Sequence, residues 1–238
     1  MAAHCNPDRK AATPQISIII PVLNEGAAIA DLLATLASWR AAGDEVIVSD
    51  GGSHDATVSL ARAACDRVVT AARGRALQMN AGAAVARGQI LWFLHADSVV
   101  SAGAREALLA ACIANSAWGR FDVRIADDAA IFRLISAMMN LRSRLSAIAT
   151  GDQGIFVTRT LFNAVGGYAP LALMEDIELS AALARRRRPY CLRLTLGTSS
   201  RRWRNRGIAR TIVSMWALRL AWFCGISASR LARWYGYR

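Results

Sequence analysis

Short β-branched and aliphatic blocks alternate with longer stretches of helical apolar spacing through roughly the first hundred residues. Ile16-Ser-Ile-Ile-Ile20, stopped by Pro21, predicts a strand, and Asn24 stands where it can cap a helix over about 25–40. A Gly43-Asp44 turn leads to a second strand, Glu45-Val-Ile-Val-Ser49. Ser53 can cap a helix to about 64, Arg67-Val-Val-Thr70 is a short third strand, and an alanine-rich helix over about 74–86 ends at Gly88. Ile90-Leu-Trp-Phe-Leu94 is apolar throughout, as a strand covered on both faces must be. The alternation predicts an α/β fold, an open, mostly parallel, twisted sheet with helices on both faces.

After Asp97 the rhythm changes. The pattern predicts helices over about 102–115 and 129–148, with a strand over 118–125 between them. A turn at Gly151-Asp-Gln-Gly154 precedes a strand at 155–157, a helix ending near Gly166-Gly167, a helix over 175–185 and a strand over 190–196. From 199 onward the chain has nine arginines and no acid, interspersed with Trp203, Trp216, Trp222 and Trp234. Its apolar stretch at 208–226 is broken by Arg210 and Arg219 and is no conventional membrane span. The composition predicts a basic amphipathic helical tail over 201–238. It suits an anionic membrane surface and equally a helical pair packed on the main domain, and the two are compatible. Residues 1–14 read as a disordered leader and 15–200 as the main domain.

Composition narrows the picture. Hydrophobic residues make up 54% of the chain and charged residues 19%, which excludes a disordered or collagen-like protein. The net charge is +12 and all basic side chains but Lys10 are arginine, so the surface attracts nucleotides, phosphates or acidic headgroups. Five cysteines without a C-x-x-C point to a reducing compartment and no structural zinc. Residues 1–15 contain no apolar segment of the secretory type. Together these predict a cytoplasmic protein, with the tail a candidate for contact with the cytoplasmic face of the membrane.

Polar residues cluster where the predicted parallel strands end: Pro21-Val-Leu-Asn24-Glu25, Asp50-Gly51-Gly52, Arg73-Gly-Arg75 with Asn80, and His95-Ala96-Asp97. In an open α/β sheet these ends line one crevice, the usual ligand position. Asp50 can accept hydrogen bonds from a base, Arg73 or Arg75 can meet phosphate, and Asp97 can bind a divalent cation on a diphosphate. Taken singly, Asp50-Gly-Gly is also a turn, Asp97 a helix cap, His95 a core histidine, and Arg73 and Arg75 solvated surface. Their convergence on one sheet edge favours the site. The chain lacks G-x-G-x-x-G, G-x-x-x-x-G-K-[ST] and G-x-S-x-G.

In combination these segments are specific. Ile18-Ile-Ile-Pro-Val-Leu-Asn-Glu25, Val46-Ile-Val-Ser-Asp-Gly-Gly-Ser-His-Asp-Ala-Thr57, Gly74-Arg-Ala-Leu-Gln-Met-Asn-Ala-Gly82, Phe93-Leu-His-Ala-Asp97 and Leu173-Met-Glu-Asp-Ile-Glu-Leu179 resemble the motifs of family 2 glycosyltransferases of the GT-A fold over about residues 15–200. The nearest likeness is to the small bacterial subgroup named for arsenosugar biosynthesis or association with radical-SAM/selenodomain proteins. Ser199-Ser-Arg-Arg-Trp203 is a loose relative of the family's Q-x-x-R-W, without its glutamine.

The resemblance implies a hexose transferred from a nucleotide-diphosphate sugar, a UDP-sugar favoured, to the hydroxyl of a small-molecule or lipid acceptor, with inversion. It implies that Asp97 holds Mg²⁺ or Mn²⁺, that Asp176 is the general base and that Glu175 supports it. By the same likeness Pro21, Asn24, Glu25, Asp50, Gly51, Arg73, Arg75, Asn80, His95 and Ala96 border the donor, and Arg202 and Trp203 close over it. His95 stands where the family's D-x-D motif has its first acid, and Asp152 lies in an acceptor-side loop. Without the resemblance, Glu175 and Asp176 are also simply acids at a helix start. Two rivals remain: a sugar-nucleotide nucleotidyltransferase, and a non-enzymatic basic module that binds membrane or RNA through Arg185–Arg188 and the tail. No specific nucleic-acid partner is expected on the favoured reading.

Overall fold

The β-branched blocks become the middle of one sheet. The computed structural model describes residues 15–113 and 117–236, so the leader expected over 1–14 and the helix end expected at Asn115 lie outside the described residues. Strands β1 (Ile16–Val22), β2 (Glu45–Asp50), β3 (Arg67–Thr70) and β4 (Ile90–Phe93) alternate with helices α1 (Gly26–Ala41), α2 (Thr57–Ala64) and α3 (Arg75–Val85). All three pairings among these strands are parallel, and the register sets Val22 beside Asp50 and Asp50 beside Thr70. Their carboxyl ends therefore meet on one edge.

The second half adds β5 (Val99–Val100), α4 (Ala104–Ile113), β6 (Trp118–Ala126), α5 (Ala130–Ser146), β7 (Phe156–Thr158), α6 (Arg159–Ala164), α7 (Glu175–Arg186) and β8 (Tyr190–Ser199). Among the described residues the sheet runs β3-β2-β1-β4-β7-β6-β8-β5. β7 is antiparallel to both β4 and β6, β8 is parallel to β6, and β5 closes the edge antiparallel to β8. The sheet is mixed and mostly parallel, and helices cover both faces, as the pattern predicted. β5 was not expected, since two valines carry no legible period. The tail forms α8 (Arg201–Arg206), α9 (Ile208–Phe223) and α10 (Ala228–Tyr235).

Side-chain alternation divides the core. Ile16, Ile18, Ile20, Val46, Val48 and Trp92 face α1, α2 and α4, while Ile19, Ile47, Leu91 and Phe93 face α3, α6 and α7. Trp92 is fully buried, stacks on Trp39 at 4.8 Å between centroids and donates its indole N–H to the Gly154 carbonyl at 3.2 Å. Trp92→Ala removes that ring and leaves a carbonyl unpaired, and the expected loss is about 3–5 kcal/mol, read as a lower urea midpoint at unchanged slope. An unchanged midpoint would show that the core closes around the gap.

Two helix starts differ from the sequence reading. Asn24 does not cap α1; it adopts φ +55, and its side-chain oxygen accepts from His54 N–H at 2.8 Å. Ser53 does not cap α2 either, because its hydroxyl oxygen accepts the Asn24 N–H at 2.9 Å. Asp55 takes over both tasks, accepting from Gly26 N–H at 3.1 Å and from Thr57 N–H at 3.0 Å, and Thr57 in turn accepts from Glu25 N–H at 2.8 Å. The hydrogen bonds with Thr57 hold the Asp55 carboxyl below its ordinary range. The loops after β1 and β2 are thereby tied into one wall.

Candidate active site

A cleft of about 680 Å³ opens above the carboxyl ends of β1 and β4. That volume lies within the usual range for small-molecule sites. Of the residues expected from sequence, Pro21, Glu25, Arg73, Arg75, His95, Ala96, Asp97, Glu175 and Trp203 line it. Asp176 faces a small adjoining cavity that it shares with Arg75, His95 and Glu175. Five segments distant in sequence thus meet in one place: the parallel register aligns those after β1 and β4, and the starts of α3 and α7 and helix α8 carry the other three.

Asn24, Asp50, Gly51 and Asn80 are not among the lining residues. The buried Asp50 carboxylate accepts from Gly52 N–H at 3.0 Å and Ser53 N–H at 3.1 Å, which holds the loop after β2. Asn80 clamps the segment before α7: its amide donates to the Tyr168 carbonyl at 2.8 Å and accepts the Tyr168 N–H at 3.0 Å. The Arg202 side chain lies outside the described residues. Gln78 was missed. Its buried amide donates to the carbonyls of Val22 at 2.7 Å and Ser49 at 2.9 Å, bridging the ends of β1 and β2 beneath the cleft. It lay inside the quoted Gly74–Gly82 motif, where only Arg75 and Asn80 bore an obvious polar role. Arg201, also missed, lines the same cleft as Glu25 and its charge acts on that carboxylate.

Burial raises the Glu25 carboxyl above its ordinary 4.5, and the charge of Asp97 raises it further, against Arg201, Arg75 and His95. Among the described residues no cluster of three His, Cys, Asp or Glu could cage a metal. Mg²⁺ commonly needs only one or two carboxylates when substrate phosphates complete its shell. Asp97, with Glu25 near enough to feel its charge, fits that arrangement.

His95 fills the place of the missing acid differently. Its Nδ1 stands 3.2 Å from Asp152 Oδ1, on the single turn Gly151–Gln153. Gly151 permits the approach: a Cβ there would lie 2.5 Å from His95 Nε2. The same turn touches Asp176, whose Oδ2 accepts the Gly151 N–H at 2.9 Å while Oδ1 accepts the Ile177 N–H at 2.8 Å. Two arginines lie near enough to Asp176 to feel its charge. Burial pushes Arg142 down to about 10, with Arg219 adding to the shift, and burial lowers Arg219 as well; the charge of Asp176 opposes both shifts.

Glu175 is buried beside Asp176, and burial raises its carboxyl above 4.5, with the Asp176 charge adding to the shift. The folded chain then holds this proton more tightly than the unfolded chain. Stability from this group is full below pH 4.5 and declines as the pH rises through the raised value. Glu175→Gln is expected to flatten that decline and to raise the melting temperature at neutral pH. Thermal melts from acid to neutral pH check this, and parallel curves for the two proteins would reject it.

Trp203 packs into the apolar cluster of Ile125, Phe132 and Ile135, edge-on to Phe132 at 6.4 Å, and so roots α8 against β6 and α5. Arg204 pairs with Asp127 at 2.7 Å and holds that carboxyl down at about 2. The tail therefore packs on the sheet domain, and α8 forms part of the cleft rim.

A mixed, mostly parallel sheet covered by helices on both faces, with acids and arginines at the carboxyl ends of its parallel strands, is the architecture of a GT-A-like fold. Residues 17–171 match glycosyl transferase family 2, and the chain belongs to that family. A search of curated proteins finds no match. Among solved structures, S. aureus TarS 1–349 is similar at 18% identity and a TM-score of 0.65, over 78% of this chain and 60% of that one. Glucosyl-3-phosphoglycerate synthase from Mycobacterium tuberculosis, in complex with Mn²⁺, UDP and glucosyl-3-phosphoglycerate, is 22% identical with a TM-score of 0.58, over 78% and 71%. The mannosyltransferase PcManGT from Pyrobaculum calidifontis, in complex with GDP-Man and Mn²⁺, is 20% identical with a TM-score of 0.61, over 88% and 61%. The likeness is one of fold, and the chain spans about 60% of the length of TarS 1–349.

Proposed function

We propose that this glycosyltransferase moves a hexose from a nucleotide-diphosphate sugar, with UDP the favoured nucleotide, to an acceptor hydroxyl with inversion at the anomeric carbon. The observation that carries the reading is the single cleft in which Arg73, Arg75, Glu25 and Asp97 meet Glu175, with Asp176 in the cavity beside it. Arg73 and Arg75 meet the donor phosphates, and Glu25 borders the sugar. Asp97 holds Mg²⁺ or Mn²⁺, which when bound offsets negative charge on the diphosphate. Asp152 orients the His95 ring beside it.

Asp176 takes the proton of the acceptor hydroxyl as that oxygen bonds to the anomeric carbon. The bond from that carbon to the diphosphate breaks, and its electron pair leaves with the diphosphate. The Gly151 N–H fixes the carboxylate for this task. The acceptor is a small hydroxyl compound or the head of a lipid. The His95-Ala-Asp97 form of the metal motif supports placing the chain with the arsenosugar-type subgroup. The four cysteines among the described residues are free, which supports a reducing, cytoplasmic setting.

Calorimetric titration with UDP, GDP and ADP, with and without Mn²⁺, tests the reading. UDP is expected to bind only with the metal. A folded protein that binds no nucleotide under either condition would overturn it.

A further inference from the structure

Two neighbouring helices turn apolar stripes away from the protein. α5 buries Phe132 and Ile135, yet Leu134, Met138, Leu141 and Leu145 on its other side are 56% to 72% exposed. α9 joins the same cluster through Ile208, Ile212 and Met215, while its Val213, Trp216, Leu220 and Phe223 are 59% to 72% exposed. Each stripe repeats at three- and four-residue steps, so each is one continuous side of a helix. The core already has its own share of both helices and does not account for these side chains. Contiguous exposed apolar surface of this kind marks an interaction site.

Charge selects the occupant. α5, α8, α9 and α10 contain no acidic residue. Arg133 beside Leu134, Arg210 one turn before Val213, and Arg230 and Arg233 on α10 are exposed. Asp127 and Asp128 precede α5, and Asp127 is tied to Arg204. A second copy of the chain laid on this face would set arginine against arginine. An anionic bilayer satisfies both features, taking the apolar side chains at the acyl boundary and the guanidiniums at the headgroup phosphates. Trp216 and the exposed Trp234 of α10 have the amphipathic rings that settle at that level. Among the described residues no helix is long and apolar enough to cross a membrane, so these helices would lie in its plane.

We propose that α5, α9 and α10 form a face that docks this enzyme on an anionic lipid surface. The tail's composition hinted at such contact; the share contributed by α5 emerges only from the fold. The proposal stands apart from the donor chemistry and survives if the nucleotide is not UDP.

Flotation of the full chain with phosphatidylcholine vesicles, and with vesicles containing about 30% phosphatidylglycerol, tests it. Binding to the anionic vesicles is expected to be about ten-fold tighter or more, to weaken with salt, and to be accompanied by quenching of tryptophan fluorescence by brominated lipid. The paired variants Leu141→Glu/Leu145→Glu and Trp216→Glu/Leu220→Glu are each expected to lower vesicle affinity about ten-fold or more while keeping the native melting temperature. Several results would overturn the proposal. One is no vesicle binding by the wild type; another is binding undiminished in folded variants. A third is a dimer, seen by equilibrium sedimentation, that the same substitutions dissociate in a protein without vesicle affinity. If the variants do not fold, binding by the wild type without salt dependence or quenching overturns it equally.

Discussion

Asp176→Asn is expected to lower transfer about 10²–10⁴-fold while nucleotide affinity stays within about two-fold of wild type. The amide cannot accept the acceptor's proton, so the loss falls on the chemical step. Asparagine still offers one oxygen to the Gly151 N–H, the 2.9 Å bond that fixes the turn carrying Asp152. The variant thus separates a base from a structural carboxylate. Transfer near the wild-type rate would end Asp176's candidacy as the base. Loss of nucleotide binding together with activity would mean that the residue serves to hold the turn. Single-turnover assays with donor and acceptor, alongside calorimetry, distinguish the cases.

Asp97→Ala is expected to abolish the Mn²⁺-dependent part of nucleotide affinity, a fall of about two decades or more, as loss of a several-kcal/mol metal contact implies. The argument rests on the charge arrangement of the cleft. The charge of Asp97 adds to the cost of ionising the half-buried Glu25, a cost that a divalent cation between protein and diphosphate would relieve. Removing Asp97 also removes one cause of the raised Glu25 pKa, so Glu25 becomes easier to ionise in the variant. Titration of UDP with and without metal reads the first effect. Unchanged metal dependence in Asp97→Ala would move the cation to other ligands, Glu25 and Asp152 being acids of the same cleft.

Much of the fold was legible because the parallel strands are buried on both faces. Ile16–Ile20, Glu45–Ser49 and Ile90–Leu94 had to be strands, and polar residues immediately after such blocks could only sit at a sheet edge. Several of the site residues that could be read were of that kind: Pro21 stands near the end of β1, and Glu25, His95 and Asp97 follow β1 and β4 within a few residues. Roles that depend on contacts across the chain were hidden. Asn80 carries the same chemistry as a ligand-binding asparagine, and only its two hydrogen bonds to Tyr168, 88 residues away, show it clamping a loop. Asp50 is spent on its own loop for the same reason, and Asn24 and Ser53 lose their capping duties to each other's loop, leaving Asp55 to start both helices.

By itself, the sequence determined the parallel half of the sheet, the family motifs and the acid-free, arginine-rich tail, because period and composition are local properties of the chain. The tertiary structure alone decided that Gly151 brings Asp152 to His95 and an N–H to Asp176, that Trp203 anchors the tail in an apolar cluster with β6 and α5, and that α5 and α9, which share that cluster, each leave an apolar side uncovered. Each of these depends on which surfaces meet. That is set by helix packing and strand order, and no window along the chain contains it.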